Sequence, residues 1–305
     1  MALRTRPVST PNFSPHTNDH RSRRTVWRAL SAALVSVVAT GVVTTAPGSS
    51  LSPASAAPTW RIPRGSTYVA LGDSTAAFNE DRLYIDSSRS SIECWVRYAN
   101  TYPKRLAAAR GLRLVDASCG GATSKDYFRD QKKFVKKNAR LVTLTFGGND
   151  LRVFKSMDEA ARTLGDAQIN QAGRAVQKKV EDRLVRIMRD IGKRAPRAQI
   201  VVVGYLPLTD GTACPQLRTI SAKESAQIKQ KRDMIDRLLQ RAGKRAVQQM
   251  PGRVKVLPLR HVRGHSACAP DSQRYISLLN LQGVWFHTNN AGHTYVARRI
   301  GQLLR

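Results

Sequence analysis

The chain has 305 residues, 41% of them hydrophobic and 24% charged, a globular composition that excludes a disordered, fibrous or bulk membrane chain. Fifty-one Lys and Arg against 21 Asp and Glu leave a formal charge of +30, which raises the question of an anionic partner without answering it. The length suits two small domains, or one α/β domain behind a targeting segment.

Arg21, Arg23, Arg24 and Arg28 precede 32 uncharged residues that end at Arg61. A positive region, an apolar stretch from about Ala29 to Val43 and the small residues Ala54, Ser55 and Ala56 follow in the order of an export signal. Cleavage after Ala56 is expected, giving a signal peptide over 1–56 and a secreted domain over 57–305. Ser22 to Trp27 also resembles a twin-arginine signal, and the route of export stays open. The apolar stretch is short and interrupted by Ser, Thr and Gly for a spanning helix of ~20 residues, which argues against an uncleaved anchor. Removing residues 1–56 takes away six Arg and one Asp, so 45 basic and 20 acidic side chains remain, a balance of +25. The positive charge therefore belongs to the folded part.

Short apolar, β-branched runs at Thr67–Leu71, Leu112–Ala117, Leu141–Phe146, Ile200–Gly204 and Val254–Leu257 predict buried strands. Helical periodicity spans Val96–Arg110, Tyr127–Asn138, Ala175–Lys193, Ser221–Gln249 and Ala291–Leu304. Strands alternating with helices imply one three-layer α/β domain, a parallel sheet covered on both faces. In such a sheet the ligand sits beyond the carboxyl ends of the strands.

The basic residues fall in three helix-like runs: Lys132, Lys133, Lys136, Lys137; then Lys178, Lys179, Arg183, Arg186; then Lys229, Lys231, Arg232, Arg237, Arg241, Lys244, Arg245. Only one aromatic residue, Phe134, interleaves with them and no nucleic-acid module is recognisable, so no specific nucleic acid is expected. Solvated helical faces are the plain reading, and retention on an anionic cell wall or lipid surface is the functional one. The four cysteines, Cys94, Cys119, Cys214 and Cys268, suggest two disulfides in an exported protein; counting cannot choose among three connectivities. Pairing neighbours would close two moderate loops. His261, His265 and Cys268 lack a clear fourth ligand, so no metal is expected. No Walker loop, dinucleotide fingerprint or His-Glu-x-x-His occurs, so no cofactor is implied.

Chemistry-bearing residues cluster at the strand exits. The first strand runs into Gly72-Asp73-Ser74-Thr75, placing a serine on a Gly-flanked strand-to-helix turn near free backbone N–H groups. The second exits through Ser118-Cys119-Gly120-Gly121-Ala122-Thr123, where glycine lets the backbone approach a ligand. The third exits through Gly147-Gly148-Asn149-Asp150, which offers a side-chain amide donor, and Phe286-His287-Thr288-Asn289-Asn290-Ala291-Gly292-His293 brings an imidazole just before the last helix. Each piece alone is commonplace.

Their order resembles the SGNH (GDSL-type) hydrolase family, specifically its secreted actinobacterial esterases and lipases. The resemblance covers nearly all of residues 66–305, with Gly204-Tyr205-Leu206-Pro207 similar to the family's fourth-strand exit. It implies a flavodoxin-like three-layer α/β/α fold with a central parallel sheet of about five strands. It also implies Ser74 as nucleophile, His287 as base, and an oxyanion hole from the N–H of Ser74, the N–H of Gly121 (with Gly120 as the alternative) and the amide of Asn149. Asp73, Asp150 and His293 read as turn or capping residues. The family commonly pairs the first two and the last two cysteines, which favours Cys94–Cys119 and Cys214–Cys268.

One position departs from the pattern. Most members place Asp three residues before the catalytic His; here that residue is Val284. A backbone carbonyl can hold Nδ1–H as a carboxylate does, so the carbonyl of Val284 or Trp285 is expected to orient His287 in a Ser-His dyad, with Asp271 as the competing carboxylate. Ala76 stands where a Gly-x-Ser-x-Gly elbow would have its last glycine, which argues against the α/β-hydrolase fold. The expected function is a monomeric carboxylic-ester hydrolase (esterase or lipase) acting on an ester or lipid substrate through an acyl-enzyme. Phospholipase or polysaccharide deacetylase action on the same site, and a non-catalytic cell-envelope binding protein, are the alternatives.

Overall fold

The computed structural model describes residues 61–78, 83–85, 95–97, 100–278 and 286–305; the expected signal peptide, Cys94, Val284 and Trp285 lie outside them. The five runs predicted as strands form one parallel sheet: β1 Thr67–Gly72, β4 Arg113–Asp116, β5 Ala139–Thr145, β6 Gln199–Val203 and β7 Val254–Leu257, in the order β4-β1-β5-β6-β7. Two three-residue strands, β2 Leu83–Ile85 and β3 Trp95–Arg97, form a separate antiparallel pair.

The sheet is flavodoxin-like. From β1 the chain steps outward to β4 through α2 (Tyr102–Arg110), then crosses back over β1 to β5 through α3 (Ser124–Arg129). Right-handed crossovers in opposite directions place helices on opposite faces. α2 accordingly pairs with the last helix, α7 (Asn290–Leu303), whereas α4 (Val153–Arg162), α5 (Arg174–Arg194) and α6 (Ala222–Gln249) pack with α3 in the other layer. The direction of travel reverses at β1, and a crevice opens beyond the carboxyl ends of strands at such a point. Ser74 follows β1 after one residue, Asp73.

Burial explains why apolar runs mark the strands. Val69, Ala70, Leu71, Leu141, Val142, Leu144 and Ile200 are fully buried, as expected for a sheet covered on both faces. The polar atoms among them are paired: Tyr68 with Thr143 and Tyr102 with Thr145, both at 2.8 Å between oxygens.

The helices depart from expectation at three places. The run over 96–110 becomes β3 and then α2, which starts only at Tyr102 with Pro103 in its first turn. The run over 127–138 starts earlier, at Ser124, because Thr123 and Asp126 form a capping box. It breaks at Asp130 (φ −128°, ψ −53°) and continues as a single 3₁₀ turn over Gln131–Phe134. Third, α4 stands where no helix was expected. Nor are the basic runs plain solvated faces: Lys231 and Arg232 are buried, while Arg241 and Arg245 reach across from α6 to Glu181 on α5.

Candidate active site

β1 ends at Gly72, whose φ of 142° is open to glycine, and a Cβ there would lie 2.6 Å from the Thr145 carbonyl of β5. The glycine lets the chain turn sharply beside its neighbouring strand. Asp73 then caps the four-residue helix α1 (Ser74–Ala77), its Oδ1 accepting from Thr75 N–H at 2.9 Å. Asp73 is fully buried, and burial pushes its carboxyl up to about 7. Tyr205 donates its hydroxyl proton to Asp73 Oδ2 at 2.6 Å and accepts from Gly148 N–H at 2.9 Å. Ser74 is thus held at the head of α1, facing the chain segments that leave β4 and β5.

At the β4 exit, Gly121 turns with φ 72° and leads to Ala122, whose carbonyl accepts from Asn149 Nδ2 at 2.9 Å. One of the two amide protons of Asn149 is thereby committed to positioning the side chain, and the second remains for a ligand. The next residue, Asp150, accepts from the N–H and hydroxyl of Ser124 at 2.8 and 2.6 Å and pairs with Arg183 at 3.0 Å. These buried bonds clamp the β5 exit to the start of α3. Neither Ser74 N–H nor Gly121 N–H donates to an acceptor among the described residues.

His287 reaches the same place from the far end of the chain. Its carbonyl accepts from the N–H and hydroxyl of Ser277 at 2.8 and 3.0 Å, and Thr288 bridges to Ile276. Its Nε2 lies 2.8 Å from Ser74 Oγ. Phe154 of α4 stacks on the imidazole at 5.2 Å with planes 11° apart, and Phe78 packs on it at 5.3 Å. The ring is therefore fixed in an apolar slot with one nitrogen on the serine, an arrangement in which a hydroxyl proton can pass to the imidazole.

Serine at a sheet's switch point and a distant histidine on its hydroxyl match a known pattern. Residues 70–295 match the GDSL-like lipase/acylhydrolase family. The chain belongs to this family. It is 31% identical over 182 residues to Lipase 2 of Streptomyces coelicolor, a match covering 54% of this chain and 58% of that protein. It is 34% identical over 143 residues to a lipase of Streptomyces rimosus, covering 45% and 52%. The chain thus spans a little over half the length of these curated relatives. Among solved structures, an extracellular lipase of Streptomyces rimosus superposes with a TM-score of 0.62 at 24% identity, over 79% of this chain and 100% of that one. A phospholipase A1 of Streptomyces albidoflavus gives 0.61 at 21% identity, with the same coverage. At these identities the structural likeness is one of fold.

Cys214 and Cys268 are disulfide-bonded, their Cα atoms 5.6 Å apart, which also removes Cys268 from any metal site with His261 and His265. Cys119 is disulfide-bonded too. Asp271, the competing carboxylate, is exposed and paired with Arg274. Two residues read as turn or cap formers do more than that. Asp150 carries the buried ion pair described above. His293 is fully buried, accepts from Tyr102 N–H at Nδ1 (3.0 Å) and donates from Nε2 to the Phe78 carbonyl (2.7 Å). It takes over the start of α2, where the Thr101 side chain makes no capping bond. Burial drives its pKa down to about 3.

No sequence signal points to Gln131. Its side-chain amide pairs with both sides of the Gly72 peptide, accepting from the N–H at 2.9 Å and donating to the carbonyl at 2.8 Å. Phe154 was equally hidden, because it lies on the unexpected helix α4.

Proposed function

We propose that the protein is an exported serine carboxylic-ester hydrolase, with Ser74 as nucleophile and His287 as general base. The observation that carries this reading is the 2.8 Å contact between Ser74 Oγ and His287 Nε2. Ser74 Oγ attacks the ester carbonyl carbon while its proton moves to His287 Nε2. The tetrahedral oxyanion is received by the N–H groups of Ser74 and Gly121 and the uncommitted amide proton of Asn149. The carbon–alkoxide bond then breaks, the leaving alcohol takes the proton from His287, and an acyl-enzyme remains. Water attacks the acyl carbon with His287 again taking a proton, and the carboxylic acid departs as Ser74 is restored. Nε2 must be unprotonated at the start, so Nδ1 carries the hydrogen. The carbonyls of Val284 and Trp285 remain the proposed holders of that hydrogen, because Asp271 is committed to Arg274.

The substrate class is an ester of a lipid or acylated small molecule, with secretion following from the export signal at the N-terminus. A phospholipid is the favoured refinement. A cleft of about 270 Å³ opens beside Asn149, with Val176 and Val180 on its walls among Lys125, Lys179 and the Asp150–Arg183 pair, a mixed lining in which the two lysines suit an anionic headgroup beside an acyl chain. Intact-mass labelling with a fluorophosphonate, in which the serine oxygen displaces fluoride from phosphorus, tests the proposed chemistry. One adduct is expected on the wild type and none on Ser74→Ala or His287→Ala. No adduct on folded wild-type protein would point instead to a non-catalytic envelope binder.

A further inference from the structure

The third basic run contains a feature that ester hydrolysis leaves unexplained. Arg232 on α6 is 2% exposed, yet its Nε and Nη1 have no hydrogen-bond partner among the described residues. Only its Nη2 is engaged, in an ion pair with Asp233 at 3.0 Å. Nη1 of Arg260, in the loop after β7, is likewise buried and unpartnered. A charged donor removed from water without an acceptor is costly, and two guanidinium groups facing one space repel each other. Burial and the neighbouring Arg260 both lower the Arg232 pKa.

Both arginines line one cavity of about 120 Å³, with Lys229, Arg263, Thr209 and Ser266 also on its walls. Nearby carboxylates do not fill the empty donor positions. Asp236 accepts from the N–H groups of Leu259 and Arg260. Asp233 binds Lys229 through Oδ2 at 2.8 Å, and its Oδ1 lies 3.0 Å from Arg232 Nη2 as an ion pair without a hydrogen bond, while Asp210, on the cavity wall, accepts from the N–H and hydroxyl of Thr212. Hydrophobic residues in place of Arg232 would avoid the burial cost altogether, so an arginine that lines a small chamber with two of its donors unpaired is explained best by an acceptor that enters it. The volume equals the share of about four liquid waters at ~30 Å³ each, enough for a tetrahedral anion. Planar guanidinium forks match such an anion two bonds at a time.

We propose that this chamber binds a tetrahedral oxyanion of the phosphate class, received by Arg232 and Arg260 from two sides with Lys229 and Arg263 at its mouth. The site involves neither Ser74 nor His287, and it stands whether or not the protein hydrolyses esters.

The test is calorimetric titration and thermal denaturation of the full-length protein with potassium phosphate, against potassium chloride at matched ionic strength. The wild type is expected to bind one phosphate saturably and to melt at higher temperature in its presence. Arg260→Gln, at a half-buried position that tolerates the change, should weaken binding by roughly tenfold or more, the weight of one charged hydrogen bond. Arg232→Met should abolish binding, and Lys132→Gln, on a different helix, should leave it intact. Vesicles of phosphatidic acid in phosphatidylcholine separate the two sources of the phosphate group. Vesicle binding displaced by free phosphate and lost in Arg260→Gln assigns the chamber to a lipid headgroup. Vesicle binding indifferent to both assigns it to a free anion. A non-saturable response equal to that with chloride, or phosphate binding unchanged in Arg260→Gln, would overturn the proposal and leave the arginine donors to ordered water. If Arg232→Met does not fold, Arg260→Gln decides alone.

Discussion

The phenol oxygen of Tyr205 joins two loops of the site, donating to Asp73 at 2.6 Å and accepting from the Gly148 N–H at 2.9 Å. Tyr205→Phe would leave a buried carboxyl oxygen and a buried N–H unpaired, each costing on the order of 1–3 kcal/mol. The variant is expected to melt at lower temperature. It should also lose roughly tenfold or more in kcat with KM little changed, because small displacements of reacting groups are expensive. Unchanged kcat in a destabilised variant would show that Asp73 holds α1 without help.

Gly148 matters for what it leaves empty. A Cβ there would lie 2.8 Å from the Phe154 ring and 3.0 Å from the Tyr205 ring. Since Phe154 stacks on His287, Gly148→Ala should lower turnover through the histidine, and Gly148→Ala with Phe154→Leu should recover part of it. Steady-state kinetics of the two variants provide the check. Failure of the second substitution to restore any activity would count against the stacking explanation.

Asn149 and Asp150 are adjacent but predict opposite phenotypes. Asn149→Ala removes a proposed oxyanion donor, so kcat should fall by ~10²- to 10³-fold with the melting temperature little altered. Arg183→Met instead strands the buried Asp150 carboxylate, and breaking such a pair costs roughly 3–5 kcal/mol. Thermal melts and turnover measured on both variants separate chemistry from scaffolding; a large stability loss in Asn149→Ala would assign it to the scaffold.

Acid should act through His293. Its native pKa of about 3 lies below the ordinary histidine value of 6.5, so the unfolded chain binds the proton first. The stability it contributes is complete above pH ~6.5 and is lost as pH falls toward 3. In His293→Asn that component disappears, and urea-unfolding free energies should vary less between pH 7 and 4 than in the wild type. Parallel pH profiles for the two proteins would remove His293 from the account.

With its carboxylate exposed and paired with Arg274, Asp271 is not expected to orient His287. Asp271→Ala should retain kcat within about twofold of wild type, whereas loss of a triad carboxylate lowers turnover by ~10⁴. A drop of that size would replace the dyad with a triad.

What the sequence makes legible is local. Strands buried on both faces read as unbroken apolar runs; the glycines, Ser74 and Asn149 stand at their exits and His287 just before the last helix, in a fixed order. The hidden parts depend on pairings between remote residues or lack a start signal. Gln131 finds the Gly72 peptide 59 residues away, and its position accounts for the break at Asp130 that periodicity alone carries through. α4 begins after Arg152, a non-glycine residue in left-handed conformation (φ 56°) with no side-chain capping bond, so nothing in the sequence announces it. Arg232 reads as one more surface cation until the loop after β7 closes over it.

The contact between Ser74 and His287 spans 213 residues, and this has a bearing on biogenesis. Contacts so distant in sequence form only after most of the chain has been ordered. A chain emerging from the ribosome or a translocation pore holds its serine long before its imidazole, so it is chemically silent until the segment bearing His287 has docked. For the exported ester hydrolase proposed above, that delay would protect the producing cell.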